Sequence, residues 1–211
     1  MATEQLFDAA IIGSGPAGLI AAHTLLDKNI LVTEKGAIIP KRVCPMTTAC
    51  VGCNRCGEIE GVGGAGGWSD GKLCLGPVGI LDQYLGDSYP DEVQAVNQIF
   101  RDVLHDKYVE PNDCVDSCSV REGITQEVTE VANLGTSTIR FAFQQMYENI
   151  CNSGNTFVAN DRVIQVYDDG ENTFVIRTKS GKEFHAQNLI VATGKGETSD
   201  ETTYVVGKKN C

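Results

Sequence analysis

The chain has 211 residues, of which 42% are hydrophobic and 21% are charged, and its formal net charge at pH 7 is −11. This length and composition are typical of one globular domain, with or without a small insert, and they exclude a largely disordered chain. The excess of negative charge, with no cluster of basic residues, excludes the phosphate backbone of a nucleic acid from the expected partners.

The N-terminal part of the chain predicts a strand, a helix and a second strand. Residues 7–12 (FDAAII) are typical of a strand that is buried on both faces, and residues 30–34 (ILVTE) indicate another. The helix is predicted from Pro16 to Leu26. Glycine and proline interrupt the apolar residues, so we expect neither a membrane span nor an export signal. The pattern predicts an α/β, Rossmann-like fold with a parallel sheet.

The turn between the first strand and the helix fits the dinucleotide-binding pattern G-x-G-x-x-G. Its residues are Gly13, Ser14, Gly15, Pro16, Ala17 and Gly18. In such a turn Gly13 permits the tight bend, Gly15 lets the backbone approach a diphosphate, and Gly18 lets the helix pack close to the sheet. The alternative is a glycine turn in a sheet that binds no nucleotide.

An acidic residue follows the second strand, where dinucleotide-binding folds recognise ribose. Glu34 lies 21 positions after Gly13. Its carboxylate is expected to accept hydrogen bonds from a ribose hydroxyl, which favours an adenosine without a ribose phosphate. The strands, helix, glycines and acid together indicate dinucleotide binding.

The middle of the chain is less regular. Residues 36–87 are rich in glycine and cysteine and show no period, which is typical of a segment wrapped around a ligand. Pro90 is expected in the first turn of a helix, and another helix is predicted from Thr136 or Ser137.

The C-terminal third predicts mainly strands. Residues 156–160, 162–168 and 173–179 alternate in the manner of strands with intervening turns. The apolar run at 188–194 (NLIVATG) predicts a further buried parallel strand. These segments indicate a β-meander inserted into the parallel fold.

The stretch GVGGAGGWSDGKL at residues 61–73 predicts a backbone cradle. Its glycines, with Gly64 and Gly67 as the candidate contacts, would let the chain run against a diphosphate or a flavin ring. Ser69 is a candidate hydrogen-bond donor. Trp68 either stacks near the flavin or covers the core.

Four cysteines lie close together in the sequence, at Cys44, Cys50, Cys53 and Cys56. The CxxCxxC spacing is typical of iron–sulfur ligands, and four thiolates also suit tetrahedral zinc. The alternative is a set of reduced thiols in a loop over the cofactor. Nine cysteines without an export signal predict a reducing, cytoplasmic setting.

The order of elements resembles the FAD-binding half of flavoproteins with two dinucleotide folds. That resemblance implies FAD rather than NAD, and it adds Lys35, which directly follows Glu34, and the turn at Thr193 and Gly194 to the cofactor site. It also implies that the backbone of Val163 contacts adenine and that Arg42 reaches a phosphate. A core valine and a solvated arginine are the alternatives for those two residues.

Several motifs together resemble a bacterial family of uncharacterised FAD-dependent dehydrogenases. They are Cys-Pro at 44–45, CxxCxxC at 50–56, the stretch at 61–73, and Leu-Gly-Thr at 134–136. The resemblance runs from about residue 7 to about residue 194, and it implies FAD, oxidoreductase activity and a cytoplasmic location. Family members continue into a substrate domain, so we expect a partner chain to supply the missing half.

The predicted organisation is an FAD/NAD(P)-binding domain at residues 1–195 and a polar tail at 196–211. Within the domain we expect an insert at 36–87 and a β-meander at 162–187.

The expected function is an FAD-dependent oxidoreductase, or its flavin-binding portion, acting on a small molecule or an electron-transfer partner. A cysteine-held metal centre would relay electrons. The alternatives are a thiazole-synthase-like enzyme with an adenylated, NAD-derived ligand, and a non-catalytic nucleotide-binding module. No catalytic acid or base is predicted, because flavins carry the redox chemistry themselves.

Overall fold

The computed structural model describes residues 5–76, 81–113, 130–194 and 206–208. The chain divides into two compact units. The first contains Met1–Trp68 and Phe143–Cys211, and the second contains Ser69–Ala142. Helix Thr136–Asn152 has residues in both units.

The strands are β1 (Leu6–Ile12), β2 (Ile30–Thr33), β3 (Lys72–Cys74), β4 (Asn112–Asp113), β5 (Glu130–Asn133), β6 (Thr156–Val158), β7 (Val163–Asp168), β8 (Phe174–Thr178), β9 (Glu183–Val191) and β10 (Val206–Lys208). The α-helices are α1 (Pro16–Thr24), α2 (Leu81–Leu85), α3 (Tyr89–Leu104) and α4 (Thr136–Asn152). Short 3-10 helices lie at Ile39–Lys41, Ala65–Trp68, Gly86–Ser88 and His105–Lys107.

The first unit is built on a sheet with the strand order β10-β7-β8-β9-β1-β2-β6. Strands β9, β1, β2 and β6 are parallel neighbours, whereas β7, β8 and β9 form an antiparallel meander. In the register of the central strands, Ala10 lies opposite Leu31 on one side and Leu189 on the other. The predicted α/β, Rossmann-like fold with a parallel sheet and an inserted meander is therefore confirmed.

Strand β9 belongs to both parts of this sheet. Its first residues, from Glu183, pair with β8, and the residues from His185 onward pair with β1. The predicted strand at 188–194 is only partly correct, because the observed strand begins at Glu183 and ends at Val191. Residues 192–194, which the prediction included, lie outside the strand and have no regular secondary structure.

The sheet carries a hydrophobic core. Its buried members are Phe7, Ala10, Ile12, Leu31, Val163, Val166, Ile176 and Ala186. They come from β1, β2 and all three meander strands, so their burial fixes the meander against the parallel strands. Each large apolar side chain buried in this way contributes about 1.5–3 kcal/mol to stability.

The second unit contains a small antiparallel sheet with the order β3-β5-β4. This sheet was not predicted, because its strands are only two to four residues long and lie in stretches without a clear period. Helix α3 begins at Tyr89, with Pro90 in its first turn as predicted, and it buries Phe100, Val103 and Leu104.

Two of the motifs that carried the family resemblance meet in the second unit. The backbone carbonyl of Gly71 accepts a hydrogen bond from the N–H of Leu134 (2.9 Å), and the hydroxyl of Thr136 donates to the carbonyl of Ser69 (2.8 Å). A Cβ added to Gly71 would overlap the backbone of Gly135. This close approach explains why a glycine stands at position 71.

Among the residues that the structure describes, no helix has the length and apolar character needed to cross a membrane.

Candidate functional site

A cleft of about 1040 Å³ opens in the first unit at the carboxyl edge of the parallel strands. The last residues of β1, β2 and β9, namely Ile12, Thr33 and Val191, line it. Open α/β sheets bind ligands at this edge, and ligand pockets commonly measure roughly 300–1,000 Å³. The position and size of the cleft therefore suit a nucleotide-sized molecule.

The turn after β1 depends on two glycines, Gly13 and Gly18, at which an added side chain would collide with the protein backbone. Gly13 has a φ of 96°, and a Cβ added to it would lie 2.6 Å from the carbonyl oxygen of Ala192. A Cβ added to Gly18 would overlap the carbonyl oxygen of Gly13. Gly13 lines the cleft, whereas Gly18 is buried in α1 and serves the packing of the turn.

Gly15, in contrast, has open space where a side chain would project. A Cβ added to it would meet nothing within 4 Å, and Gly15, Pro16 and Ala17 all line the cleft. Helix α1 begins here, and its N-cap residue makes no side-chain capping hydrogen bond. The backbone N–H groups at a helix start attract anions. This end of the cleft therefore fits the diphosphate of a dinucleotide.

The glycine-rich stretch packs directly against this turn. The N–H of Gly63 donates to the carbonyl of Ser14 (2.8 Å). A Cβ on Gly64 would lie 3.1 Å from the Cα of Gly15, and one on Gly66 would lie 2.5 Å from Cγ of Pro16. Glycines thus bring a second backbone segment to the cleft, as the predicted cradle requires.

Two residues predicted for this cradle lie elsewhere. Gly67 does not line the cleft. Ser69 belongs to the second unit, where its Oγ accepts a hydrogen bond from the N–H of Gly71 (3.2 Å). Cofactor contacts by Gly67 and Ser69 stay predictions.

Glu34 is at the predicted place, at the end of β2, and it lines the cleft with 6% of its surface exposed. Its Oε2 accepts hydrogen bonds from the N–H (2.9 Å) and the hydroxyl (2.7 Å) of Ser14. Its Oε1 accepts from the N–H of Gly36 (2.8 Å) and of Gly61 (3.1 Å). Ser14 is fully buried by this network and does not line the cleft.

Arg42 is buried, and its guanidinium binds backbone carbonyls of its own loop. Nε donates to Gly57 (3.0 Å), and Nη1 donates to Val62 (2.7 Å) and Gly64 (2.9 Å). The guanidinium carbon also lies 3.6 Å from the ring centroid of Trp68, in a stacked cation–π contact. Both residues therefore hold the loop together here, and the predicted contact between Arg42 and a phosphate stays a prediction.

The four clustered cysteines do not assemble into a metal site. Among residues 5–76, 81–113, 130–194 and 206–208, no three His, Cys, Asp or Glu side chains are grouped so that they could hold a metal ion. Cys50 and Cys53 are exposed, Cys44 and Cys56 are partly buried, and Cys56 lines the cleft. The metal centre and the alternative of reduced thiols in a loop over the cofactor both stay predictions. Cys114 and Cys118 lie outside the described residues.

Two acidic residues that the sequence analysis missed also line the cleft. Glu60, whose side chain is 10% exposed, forms an ion pair with Lys35, with 3.3 Å between Oε1 and Nζ. Asp161 is buried and accepts hydrogen bonds from the N–H (3.1 Å) and the hydroxyl of Ser180. Burial alone would raise the pKa of Asp161, but hydrogen bonds from Ser180 and Thr178 outweigh it and lower the pKa.

The predicted and observed linings of the cleft overlap at the glycine turn and at the carboxyl ends of the parallel strands. The predicted cofactor residues that line the cleft are Gly13, Gly15, Pro16, Ala17, Glu34, Lys35, Gly64, Val163, Thr193 and Gly194. The lining residues that were missed are Ile12, Thr33, Cys56, Ile59, Glu60, Gly61, Ala65, Gly66, Asp161, Val191 and Ala192. Seven of the missed residues lie within two positions of a predicted one, so extending each motif by one or two positions would have found them. The other four, Cys56, Ile59, Glu60 and Gly61, lie further from any predicted cofactor residue.

Comparison with known proteins agrees with this geometry. The family model described as "Pyridine nucleotide-disulphide oxidoreductase" matches residues 7–203. No curated protein matches the chain in sequence.

Two solved structures show the same fold at low sequence identity. The 3-ketosteroid-Δ4-(5α)-dehydrogenase from Rhodococcus jostii RHA1 is 15% identical, with a TM-score of 0.52, 92% of this chain covered and 47% of that chain. A point mutant of NikD, an unusual amino acid oxidase essential for nikkomycin biosynthesis, is 15% identical with a TM-score of 0.50, and the match covers 91% of this chain and 52% of NikD. The chain thus spans about half the length of these enzymes.

The matched family covers nearly the whole chain, and the fold and cleft are those of a dinucleotide-binding domain. The chain belongs to the pyridine nucleotide-disulphide oxidoreductase family, as an FAD/NAD(P)-binding oxidoreductase domain.

Proposed function

We propose that this chain is the flavin-binding portion of an FAD-dependent oxidoreductase. The observation that carries the proposal is the cleft between the open backbone of Gly15 and the glycines at 61, 64 and 66. A second backbone segment pressed against the diphosphate turn suits a cofactor that extends past its diphosphate, as FAD does. The sequence resemblance to FAD-dependent dehydrogenases points in the same direction.

Each part of the cleft then has a role in holding FAD. The N–H groups at the start of α1, including that of Ala17, bind the diphosphate. The backbone of Val163 is proposed to contact adenine, and Thr193 and Gly194, which also line the cleft, are proposed to contact the cofactor beside the glycine turn. FAD, when bound, supplies a ring system that accepts hydride or single electrons.

Apolar lining residues give a reason for a flat ring system to bind. Ile59 and Val191 both line the cleft, yet 63% and 51% of their surfaces are exposed. Covering such exposed apolar surface contributes about 25 cal/mol per Å². A bound ring that shields these side chains would also exclude water from the wall of the cleft.

The substrate is proposed to be a small molecule or an electron-transfer partner, in a cytoplasmic setting. Since the chain spans about half of the flavoenzymes it resembles in fold, the substrate-binding part is proposed to come from further polypeptide. A metal relay through Cys44, Cys50, Cys53 and Cys56 stays a prediction from spacing alone.

The absorbance spectrum of the purified protein, before and after FAD is added, tests this function. We expect flavin bands that stay with the protein on gel filtration and are released as FAD on denaturation. A colourless protein carrying an adenylated nucleotide would instead favour the thiazole-synthase-like reading. A protein that retains neither ligand would contradict the proposal and leave a non-catalytic module.

A further inference from the structure

We propose that Asp161 is a positioning residue for the adenine end of the cleft. Its carboxylate joins the start of β7 to the turn between β8 and β9, and it thereby fixes the backbone of Val163, where adenine is proposed to bind. The inference rests on the proposed function and deepens it, because it names the residue that sets the base selectivity of the same site.

The direction of the backbone at Val163 is not set by regular strand pairing alone. The register of β7 against β8 shifts between Val163 and Gln165. On the other edge of β7, the pairing with β10 in the described residues begins only at Val166. Irregularities of this kind, such as β-bulges, re-aim the backbone and are common beside binding sites. A contact outside the strand pairing therefore has to hold Val163 in place.

The carboxylate of Asp161 makes such a contact. Its Oδ1 accepts a hydrogen bond from the backbone N–H of Ser180 (3.1 Å), and its Oδ2 accepts one from the hydroxyl of Ser180. Nζ of Lys182 lies 3.9 Å from Oδ2. The carbonyl of Arg162 accepts a further hydrogen bond from the same turn, from the N–H of Lys179 (2.7 Å). The start of β7 is therefore fastened to the turn between β8 and β9 by both side chain and backbone.

The backbone of this segment is also tied to the end of β2. The N–H of Asp161 donates to the carbonyl of Glu34 (3.1 Å), and the N–H of Asn160 donates to the carbonyl of Gly36 (2.9 Å). Asn160 has a φ of 58°, a left-handed conformation that asparagine adopts more readily than most residues. Hydrogen bonds on both sides thus hold residues 160–162 in one position relative to the cleft.

Asp161 acts on the base through the backbone of Val163. Alternate residues of an extended segment share a face, and Asp161 and Val163 line the cleft whereas Arg162 does not. The side chain of Asp161 is only 8% exposed, and both its oxygens already accept hydrogen bonds from Ser180. A carboxylate used in this way positions the chain and leaves the contact with the base to the neighbouring backbone.

A backbone fixed at Val163 distinguishes adenine from hypoxanthine. Adenine carries an amino donor beside a ring-nitrogen acceptor, whereas hypoxanthine carries a carbonyl acceptor beside an N–H donor. A backbone carbonyl and N–H held in place match the first pattern and oppose the second. The base selectivity of the cleft is therefore the property that should depend on Asp161.

Calorimetric titration of the full chain with ADP, inosine 5′-diphosphate and FAD tests this assignment. The unchanged protein should bind ADP at least about tenfold more tightly than inosine diphosphate. In Asp161→Ala the affinity for ADP should fall to within about twofold of that for inosine diphosphate, whose own affinity should change by less than about twofold. Asp161→Asn should restore most of the preference, because its amide oxygen still accepts from the N–H of Ser180.

The matched control is Asp169→Ala, which removes another carboxylate that holds a turn of the same meander. Asp169 accepts hydrogen bonds from the N–H groups of Glu171 (2.8 Å) and Thr173 (3.2 Å), and it does not line the cleft. This variant should lose stability in urea denaturation yet keep the full preference for ADP. Ser180→Ala is a milder change that should lower the preference by about threefold, and it decides the matter if Asp161→Ala does not fold.

The outcomes separate the inference from the proposed function. The positioning role is overturned by an unchanged preference in the folded Asp161 and Ser180 variants, by an equal loss of affinity for both nucleotides, or by no preference in the unchanged protein. Nucleotide binding would still stand in each of these cases. If the unchanged protein binds neither ADP nor FAD, the proposed function fails, and the inference fails with it.

Discussion

Two regions of the first unit line the same cleft, and they are stabilised in different ways. The nucleotide turn at residues 13–18 owes its shape to local steric limits, because Gly13 and Gly18 leave no room for a side chain. The loop at residues 36–68 contains only short 3-10 helices, and buried side chains hold it in place. Glu34 accepts a hydrogen bond from the backbone N–H of Gly61, and Arg42 donates to the backbone carbonyls of Val62 and Gly64.

This difference explains which features could be read from the sequence. A turn set by sterics leaves a short pattern of glycines, so G-x-G-x-x-G was recognisable at once. A loop held by charged side chains leaves no recognisable sequence pattern, because the sequence around Arg42 is equally compatible with an arginine exposed to solvent. The comparison is therefore tested by changing the residues that hold each region.

The largest effect is expected in the turn, from Gly18→Ala. The new Cβ would overlap the carbonyl oxygen of Gly13, and only a backbone shift can remove that overlap. We expect the free energy of unfolding to fall by at least about 3 kcal/mol, as measured by urea denaturation. Gly15→Ala is the control, since its Cβ meets nothing within 4 Å and stability should hardly change. Equal losses in both variants would contradict the steric account.

The next effect is expected from Glu34→Gln, which tests the attachment of the loop to the turn. The amide nitrogen would replace one carboxylate oxygen and face the two donors bound to it, either the N–H and hydroxyl of Ser14 or the N–H groups of Gly36 and Gly61. We expect a loss of roughly 2–3 kcal/mol in the free energy of unfolding. Hydrogen exchange should become faster at the backbone N–H groups that lose their acceptor, which are those of Gly36 and Gly61 or that of Ser14. Unchanged stability would show that the network contributes little.

A smaller effect is expected from Arg42→Lys, which keeps the charge but removes the planar fork. Lysine can neither reach the three carbonyl groups together nor stack on Trp68. We expect a loss of about 2 kcal/mol. Trp68 is the sole tryptophan of the chain, so a shift in intrinsic fluorescence should accompany the loss. Unchanged fluorescence and stability would show that Arg42 does not hold the loop in place.

The smallest effect is expected from Asp161→Asn, and it should depend on pH. Hydrogen bonds keep the pKa of Asp161 below its ordinary value despite burial, so the ionised form stabilises the folded state. That stabilisation is present above the pKa of the unfolded chain, about 4, and is lost as pH falls through the lower folded pKa. The variant should be about 1 kcal/mol less stable at pH 7, and the difference should shrink as the pH falls through the lowered pKa of Asp161. A difference that is constant with pH would contradict this.

The sequence predicted the parallel sheet, the turn and the start of each long helix, because these follow from short-range patterns. Tyr89 and Thr136 begin their helices within one residue of the predicted starts. It did not predict the bounds of strand β9 correctly, because the first part of this strand belongs to the meander and only the later part carries the apolar run. It also missed Glu60, whose place depends on the path of a loop without a period.

The most direct test of the central claim is a titration of FAD into the unchanged protein and into Gly15→Val, followed by flavin fluorescence. The claim is that the open backbone at Gly15 receives the diphosphate. We predict saturable binding to the unchanged protein and a loss of affinity of at least about tenfold in the variant, with matching unfolding curves. Equal affinity in the two folded proteins would contradict the claim.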